Sequence, residues 1–207
     1  MAYLQPAQYL SYGLPAGTTP DWVAAATALI NSYCRRPDLN VIQYTERLRI
    51  VSGSQTVRLS YLPLAPLAPA TSPLVTIEGR YGRPRRGESP EIALLEIAVA
   101  FALPGAWSAI DPTTVDFDPE TGELTLPWNV LGLPYNEVTV TYTAGLATIT
   151  DDVLFACAQI VKNAQAQPAL NVSLSKLDTM QMKYFSSSLL DETVQAWLRP
   201  YVASRLG

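Results

Sequence analysis

The chain has 207 residues, of which 48% are hydrophobic and 15% are charged, so it can bury one or two cores. It contains no histidine, which excludes Ser-His and Cys-His catalysis and histidine-ligated metals. The net charge is −4, no apolar stretch is long enough to span a membrane, and the first residues do not resemble a signal peptide. We therefore expect a folded protein that stays in a cytoplasm.

The charges are segregated along the chain. The stretch from Gly87 to Val161 has 11 acidic residues and no basic one, whereas the rest has 14 basic and seven acidic residues. Segregation of this size indicates that two regions of the molecule meet differently charged surfaces. A solvated acidic insertion is the alternative.

Two helices are predicted near the N-terminus. A short helix from Pro6 to Tyr12 precedes a stronger one with Thr19 as its N-cap. The second helix is expected to run to about Arg36, because Pro37 stops it.

Segments rich in β-branched and aromatic residues follow. Val41 to Val51, Thr56 to Tyr61 and Leu74 to Arg80 predict strands. A turn at Gly53 favours a hairpin of the first two strands. The proline-rich stretch from Leu62 to Pro73 predicts an extended surface connection.

The middle of the chain predicts further strands. Residues 92–103 fit a helix or a strand, and we favour a strand. The alternating segments Val115 to Phe117 and Leu124 to Leu126 flank a loop, Asp118 to Gly122, and therefore predict a hairpin. Val138 to Tyr142 predicts the last strand of this region.

The C-terminal third predicts two helices with an unusual connection. One helix is capped at Thr150 and runs to about Gln165, and a longer one spans Leu189 to Leu206, where Pro200 is expected to kink it or to split it in two. Between them, residues 174–185 alternate in an extended pattern that has no obvious turn.

These elements predict an α+β fold, in which N- and C-terminal helices form a helical bundle with a β-rich insertion in the middle. Residues 1–40 and 145–207 form the helical core, and residues 41–144 form the insertion with its hairpins. Cys34 and Cys157 are expected to be buried as small hydrophobic side chains rather than to form a disulfide.

The acidic run Asp116-x-Asp118-x-Glu120 invites a calcium interpretation. An EF-hand loop needs glycine at position 6 and glutamate at position 12, where this chain has Thr121 and Pro127. We therefore interpret the run as a solvated hairpin tip and predict no metal site.

Other catalytic patterns are incomplete. Ser173 and Lys176 match a Ser-x-x-Lys motif without its companion motifs, and the arginine-rich loop lacks the Gly-Lys-Ser/Thr of a P-loop. We predict no catalytic residue, no cofactor and no enzymatic activity. The loop is expected to contact phosphate or an acidic protein, with a solvated loop as the alternative, through Arg80, Arg83, Arg85 and Arg86.

The extended segment suggests a docking arm. A lone extended segment satisfies its backbone hydrogen bonds by adding to another sheet or lying across a partner. An edge strand within the same subunit is an equally weighted alternative. The predicted partner-binding residues of this arm and of the last helix are Leu177, Met180, Met182, Tyr184, Phe185, Trp197 and Tyr201.

Three stretches resemble one family, the head-tail connector (adaptor) proteins of tailed phages, prophages and gene transfer agents. They are TPDWVAAATALINSYCRRP at 19–37, TGELTLPWNVLGLPYNEVTVTYTAGLATITDDVLFACAQIVKNA at 121–164, and TMQMKYFSSSLLDETVQAWLRPYVASRL at 179–206. The chain departs from smaller members of the family in its long β-rich middle, residues 62–130.

The resemblance implies a structural protein of the virion neck that is assembled in the host cytoplasm. It implies a homo-oligomeric ring, commonly of twelve subunits, which binds the portal protein and the next neck or tail protein. Double-stranded DNA would pass through without specific binding, and no membrane is involved. An acidic lumen or solvent face would be supplied by Asp116, Asp118, Glu120 and Glu123.

Two alternatives stay open. A tail-terminator or stopper protein of the neck would share these features. A carbohydrate-binding β module or an acid-pair glycosidase would need an exposed aromatic platform, for which Trp107 and Trp128 are the candidates.

Overall fold

The computed structural model describes residues 2–50, 54–81, 105–128, 135–166, 174–177, 180–183 and 189–203, with backbone alone for 174–177 and 180–183. The predicted strand at 92–103 lies outside these residues. The chain divides into two compact units: residues up to Leu39 together with Thr148–Ala203, and Asn40–Ala147. No helix in the described ranges has the length and hydropathy of a membrane span.

The first unit is built from three α-helices: α1 (Pro20–Cys34), α2 (Asp151–Ala166) and α3 (Glu192–Leu198). Each helix packs against the other two, and their apolar stripes share one core with the N-terminal residues. The residues of this core that are least exposed to solvent include Leu4, Val23, Ile30, Cys157, Ile160, Val194 and Leu198.

The starts of α1 and α2 agree with the predictions, but the last helix does not. The predicted length, Leu189 to Leu206, is wrong, because α3 has only seven residues. The predicted split at Pro200 is confirmed, since a separate 3-10 turn, Arg199–Tyr201, follows α3. Asp191 sets the start, since its Oδ1 accepts a hydrogen bond from the Val194 N–H at 2.8 Å. Pro200 has no N–H to continue the α-helical ladder, so the chain tightens there.

Two sheets make up the second unit. The four-stranded sheet has the order β1 (Ile42–Arg49), β7 (Glu137–Ala144), β3 (Leu74–Arg80), β4 (Ser108–Ile110). The three-stranded sheet has the order β2 (Thr56–Arg58), β6 (Glu123–Thr125), β5 (Asp116–Phe117). Every pair of neighbouring strands is antiparallel, and the two sheets share one hydrophobic core.

The predicted hairpin of the first two strands is wrong. β1 pairs instead with β7, from Ile42 opposite Ala144 to Arg49 opposite Glu137, and β2 pairs with β6. β7 offers eight residues for pairing whereas β2 offers three, so the distant partner gives β1 far more ladder hydrogen bonds. The predicted hairpin of β5 and β6 is confirmed.

The segment predicted as a single extended arm is a hairpin. β8 (Leu174–Leu177) and β9 (Met180–Lys183) pair in antiparallel register, with Leu177 opposite Met180. The two strands therefore satisfy part of each other's backbone hydrogen bonding. The prediction that the whole segment depends on a partner for its backbone hydrogen bonds is wrong.

The predicted fold arrangement is wrong as well. The chain is α+β, but its described part has three α-helices, two larger antiparallel sheets and the two-stranded β8–β9 sheet, rather than terminal helices in a bundle that flanks a β-rich insertion. The C-terminal third contributes the β8–β9 hairpin where a single extended segment was expected, and a short helix where a long helix was expected. Period-2 alternation and Pro200 are the physical reasons.

We predict that Tyr142→Phe destabilises the second unit. Tyr142 is fully buried, and its hydroxyl accepts a hydrogen bond from the Tyr61 N–H at 3.2 Å. Removing the hydroxyl leaves that N–H without this acceptor, so the free energy of unfolding should fall by about 1–3 kcal/mol. Urea denaturation measures it. Tyr135→Phe, at a half-buried tyrosine of the same unit, is the control and should change it by less than about 0.5 kcal/mol.

Candidate functional site

A cluster of arginines surrounds one carboxylate at an end of the four-stranded sheet. Glu137 begins the central strand β7, and its side chain is only 5% exposed. Its Oε2 accepts from Arg80 Nε at 2.6 Å, its Oε1 accepts from Arg47 Nη2 at 2.8 Å, and Arg49 Nε lies 3.8 Å from Oε1. Because β1 and β3 flank β7, the register brings basic side chains to Glu137 from both sides.

Trp107 covers part of this cluster. The guanidinium carbon of Arg80 lies 4.3 Å from the centre of the indole ring, and that of Arg47 lies 5.6 Å from it. Both distances are typical of cation–π contacts. The Trp107 ring is therefore covered in part by arginines of its own chain. Trp128, the other candidate for an aromatic platform, is 58% exposed.

The environment of Glu137 favours its charged form. Burial by itself raises the pKa of this carboxyl, but the hydrogen bonds and charges of Arg80 and Arg47 outweigh burial and hold the pKa below its ordinary value. Glu137 thus remains ionised at neutral pH and anchors the arginines.

Among the described residues, the cluster has more positive than negative charge. Three guanidiniums face Glu137, and the next described carboxylate on the same sheet face is Glu78, which the register aligns with Thr139 and Arg47. The Arg47 side chain is 56% exposed, so it is the most accessible cation of the group. We call Arg47, Arg49, Arg80 and Glu137 the basic end.

Arg80 is used differently from the prediction. Its side chain is only 15% exposed, forms an ion pair with Glu137 and contacts the Trp107 ring, so it mainly stabilises its own sheet. Arg83, Arg85 and Arg86 lie outside the described residues.

The predicted acidic residues lie on the β5–β6 hairpin. Asp118 organises its turn, because Oδ1 accepts from the Glu120 N–H at 2.9 Å and Oδ2 accepts from the Thr121 hydroxyl at 2.8 Å. These hydrogen bonds lower the pKa of Asp118. A carboxyl held in its ionised form is poorly suited to act as a general acid.

The other three acidic residues are exposed. Asp116 and Glu123 lie on the two strands, Glu120 lies in the turn, and Glu123 is directly opposite Arg58. We call Asp116, Asp118, Glu120 and Glu123 the acidic tip. Within the described ranges, no group of three or more His, Cys, Asp or Glu residues is arranged to hold a metal ion.

The predicted partner-binding residues of the helical unit have different places. Trp197 and Tyr201 are partly buried against the core, and the Tyr201 hydroxyl is 2.8 Å from Thr150 Oγ1. Leu177 ends β8, Met180 and Met182 lie on β9, and Tyr184 and Phe185 lie outside the described residues. The two aromatic residues of the last helical segment therefore contribute to the fold of their own unit.

Both cysteines are buried in the helical core as free thiols. Burial raises the pKa of Cys34 and that of Cys157 to about 11, so both are neutral at physiological pH.

The sequence interpretation missed Arg47, Arg49 and Glu137. The alternation of charged and uncharged residues along β1 was visible, but Glu137 is about ninety positions away from Arg47. Only the β1–β7 register brings them together.

No family model matches this chain, and no curated protein sequence matches it.

We predict that the free energy of unfolding of Glu137→Gln falls less steeply in acid than that of the wild type. The lowered pKa means that the charged form stabilises the fold above its ordinary pKa of 4.5 and that this contribution is lost as the pH falls through the folded-state value. The variant should be less stable than the wild type at pH 7, and the difference should shrink below about pH 4. Urea denaturation across this pH range measures both. Glu78→Gln, at an exposed position, is the control, and parallel wild-type and Glu137→Gln curves would contradict the assignment.

Proposed function

We propose that this chain is a structural head-tail connector (adaptor) of a tailed phage or phage-like particle. It forms a homo-oligomeric ring below the portal, joins the capsid to the neck or tail, and lets double-stranded DNA pass. The proposal rests on the resemblance of three stretches to this family. The structural observation that best supports it is the β8–β9 hairpin between α2 and α3.

The hairpin offers backbone groups to a partner. Its sheet has only these two strands among the described residues, so each strand has one edge facing the other and one outer edge. Backbone groups along an outer edge can pair with a strand of another molecule, which is how strand addition joins proteins. A two-stranded hairpin is also marginally stable by itself, so a partner strand would reinforce it.

The helical unit supports the same assignment. Two of the stretches that carry the resemblance include α1 and all but the last two residues of α2, and these helices pack together around one core. Trp197 and Tyr201 also pack on that core. The hairpin is therefore a better candidate for the docking element than the last helical segment.

The glycosidase alternative receives less support from the geometry. The lowered pKa of Asp118 makes this carboxyl a poor general acid. The indole ring of Trp107 is in contact with Arg47 and Arg80 and is therefore not a free platform for a sugar. A tail-terminator or stopper remains the second candidate and differs in its partner, which would be a tail protein rather than the portal.

We predict that the hairpin is required for assembly and dispensable for folding. Replacing residues 174–185 by a short Gly/Ser linker should shift the thermal transition by less than about 5 °C, because an isolated hairpin contributes little to the core. The same replacement should abolish ring formation or portal binding. Native mass spectrometry of the chain, alone and with portal protein, measures assembly.

A Gly/Ser replacement of the exposed loop at 66–71 is the matched control and should leave assembly intact. Unfolding of the hairpin variant would show that the hairpin belongs to the core. Normal assembly of that variant would show that the interface lies elsewhere.

We also predict weak DNA binding. The chain has a net charge of −4 and four exposed acidic residues on one hairpin, and tight nonspecific binding requires basic surfaces that release counterions from phosphates. Fluorescence anisotropy with a labelled duplex at physiological salt should detect no binding at micromolar protein. Tight binding that Arg47→Gln reduces would reverse this interpretation.

A further inference from the structure

We propose that the subunits of the ring contact each other head to tail through the second unit, with the basic end of one copy against the acidic tip of the next. This inference rests on the proposed function, because it assigns the contact between copies of the chain in that ring. It follows from where the two charged groups lie relative to the two ends of β7.

The acidic tip lies at the Ala144 end of β7. The Leu64 N–H donates to the Pro119 carbonyl in the β5–β6 turn at 2.9 Å, and Leu64 forms a β-bridge with Ala144. The Gly145 N–H donates to the Pro63 carbonyl at 3.0 Å, which holds the same segment at this end of the strand. The turn is therefore fixed beside the last residue of β7.

The basic end lies at the other end of the same strand, because Glu137 is the first residue of β7. At about 3.3 Å per residue, an eight-residue strand places its two ends about 23 Å apart. This separation exceeds the Debye length of about 8 Å at physiological salt, so the two groups are screened from each other within one subunit.

A unit with opposite charges beside the two ends of one strand can satisfy both charges by binding a second copy. The contact is heterologous, since two different surfaces meet, and heterologous contacts generate closed rings when the rotation between copies closes. A second copy is the favoured occupant because the chain itself supplies the complementary charge. An arginine also forms strong, directional hydrogen bonds with a carboxylate.

Particular side chains are suited to the contact. Arg47 is the most exposed cation of the basic end, and its partner Glu137 leaves guanidinium donors for a second acceptor. On the tip, both Asp118 oxygens already accept hydrogen bonds from the turn, whereas Glu120 is exposed in the turn itself. The assignment therefore pairs Arg47 with Glu120 and moves the acidic tip from the DNA passage to the subunit interface.

The test is a charge exchange between the two surfaces. Glu120→Lys alone should remove the ring at a protein concentration at which the wild type is fully assembled, and Arg47→Glu alone should do the same. The double variant, Arg47→Glu with Glu120→Lys, should restore the ring, because each interface again joins opposite charges. Native mass spectrometry with and without portal protein measures assembly, and thermal melting verifies folding.

Further measurements make the outcome unambiguous. Arg199→Glu reverses an exposed arginine of the other unit and should leave the ring intact. Raising NaCl to about 1 M, where the Debye length is about 3 Å, should weaken the wild-type ring. If Arg47→Glu fails to fold, the test uses Arg47→Ala and Glu120→Lys instead, and both should lose the ring. Glu120→Lys is expected to fold, because Glu120 is exposed in its turn.

The outcomes separate this inference from the proposed function. If both single variants form the same ring as the wild type, the head-to-tail contact is overturned and the connector proposal stands. A wild-type chain that stays monomeric with and without portal protein overturns both. Single-variant loss with double-variant recovery supports the contact.

Discussion

The structure of the β unit depends on strand β7. Its alternating residues place Val138, Val140, Tyr142 and Ala144 in the core, and β1 and β3 pair with it on its two sides. A shift of one residue would expose this apolar set, so burial specifies the register strongly. The buried hydroxyl of Tyr142 then ties the loop at Tyr61 to the same strand.

The charged groups of the unit follow from this register. Because Glu137 is opposite Arg49 on β1 and Arg80 on β3, one buried carboxylate organises the basic end. A buried carboxylate is costly unless it is paired, and here the paired arginines keep it ionised. The opposite end of β7 holds Leu64, whose N–H binds the turn of the acidic tip. The strand that forms the core thus also separates the two charges.

The helical unit uses a different principle. Its stability comes from the apolar stripes of three helices, while the β8–β9 hairpin keeps its sheet to two strands within the described part of the chain. A packed core and a two-stranded sheet with outer edges are the two features that the connector proposal needs in this unit. The connector proposal uses both features, because the core gives a stable subunit and the hairpin gives a docking element.

Local patterns in the sequence determined α1, α2 and the β5–β6 hairpin, because caps, prolines and turn residues act over a few positions. The acidic turn at Asp118 was recognisable for the same reason. The partner of β1 and the arginines around Glu137 were decided by tertiary structure. Both depend on residues far apart in the chain, and the burial of β7 against both neighbours selects one arrangement.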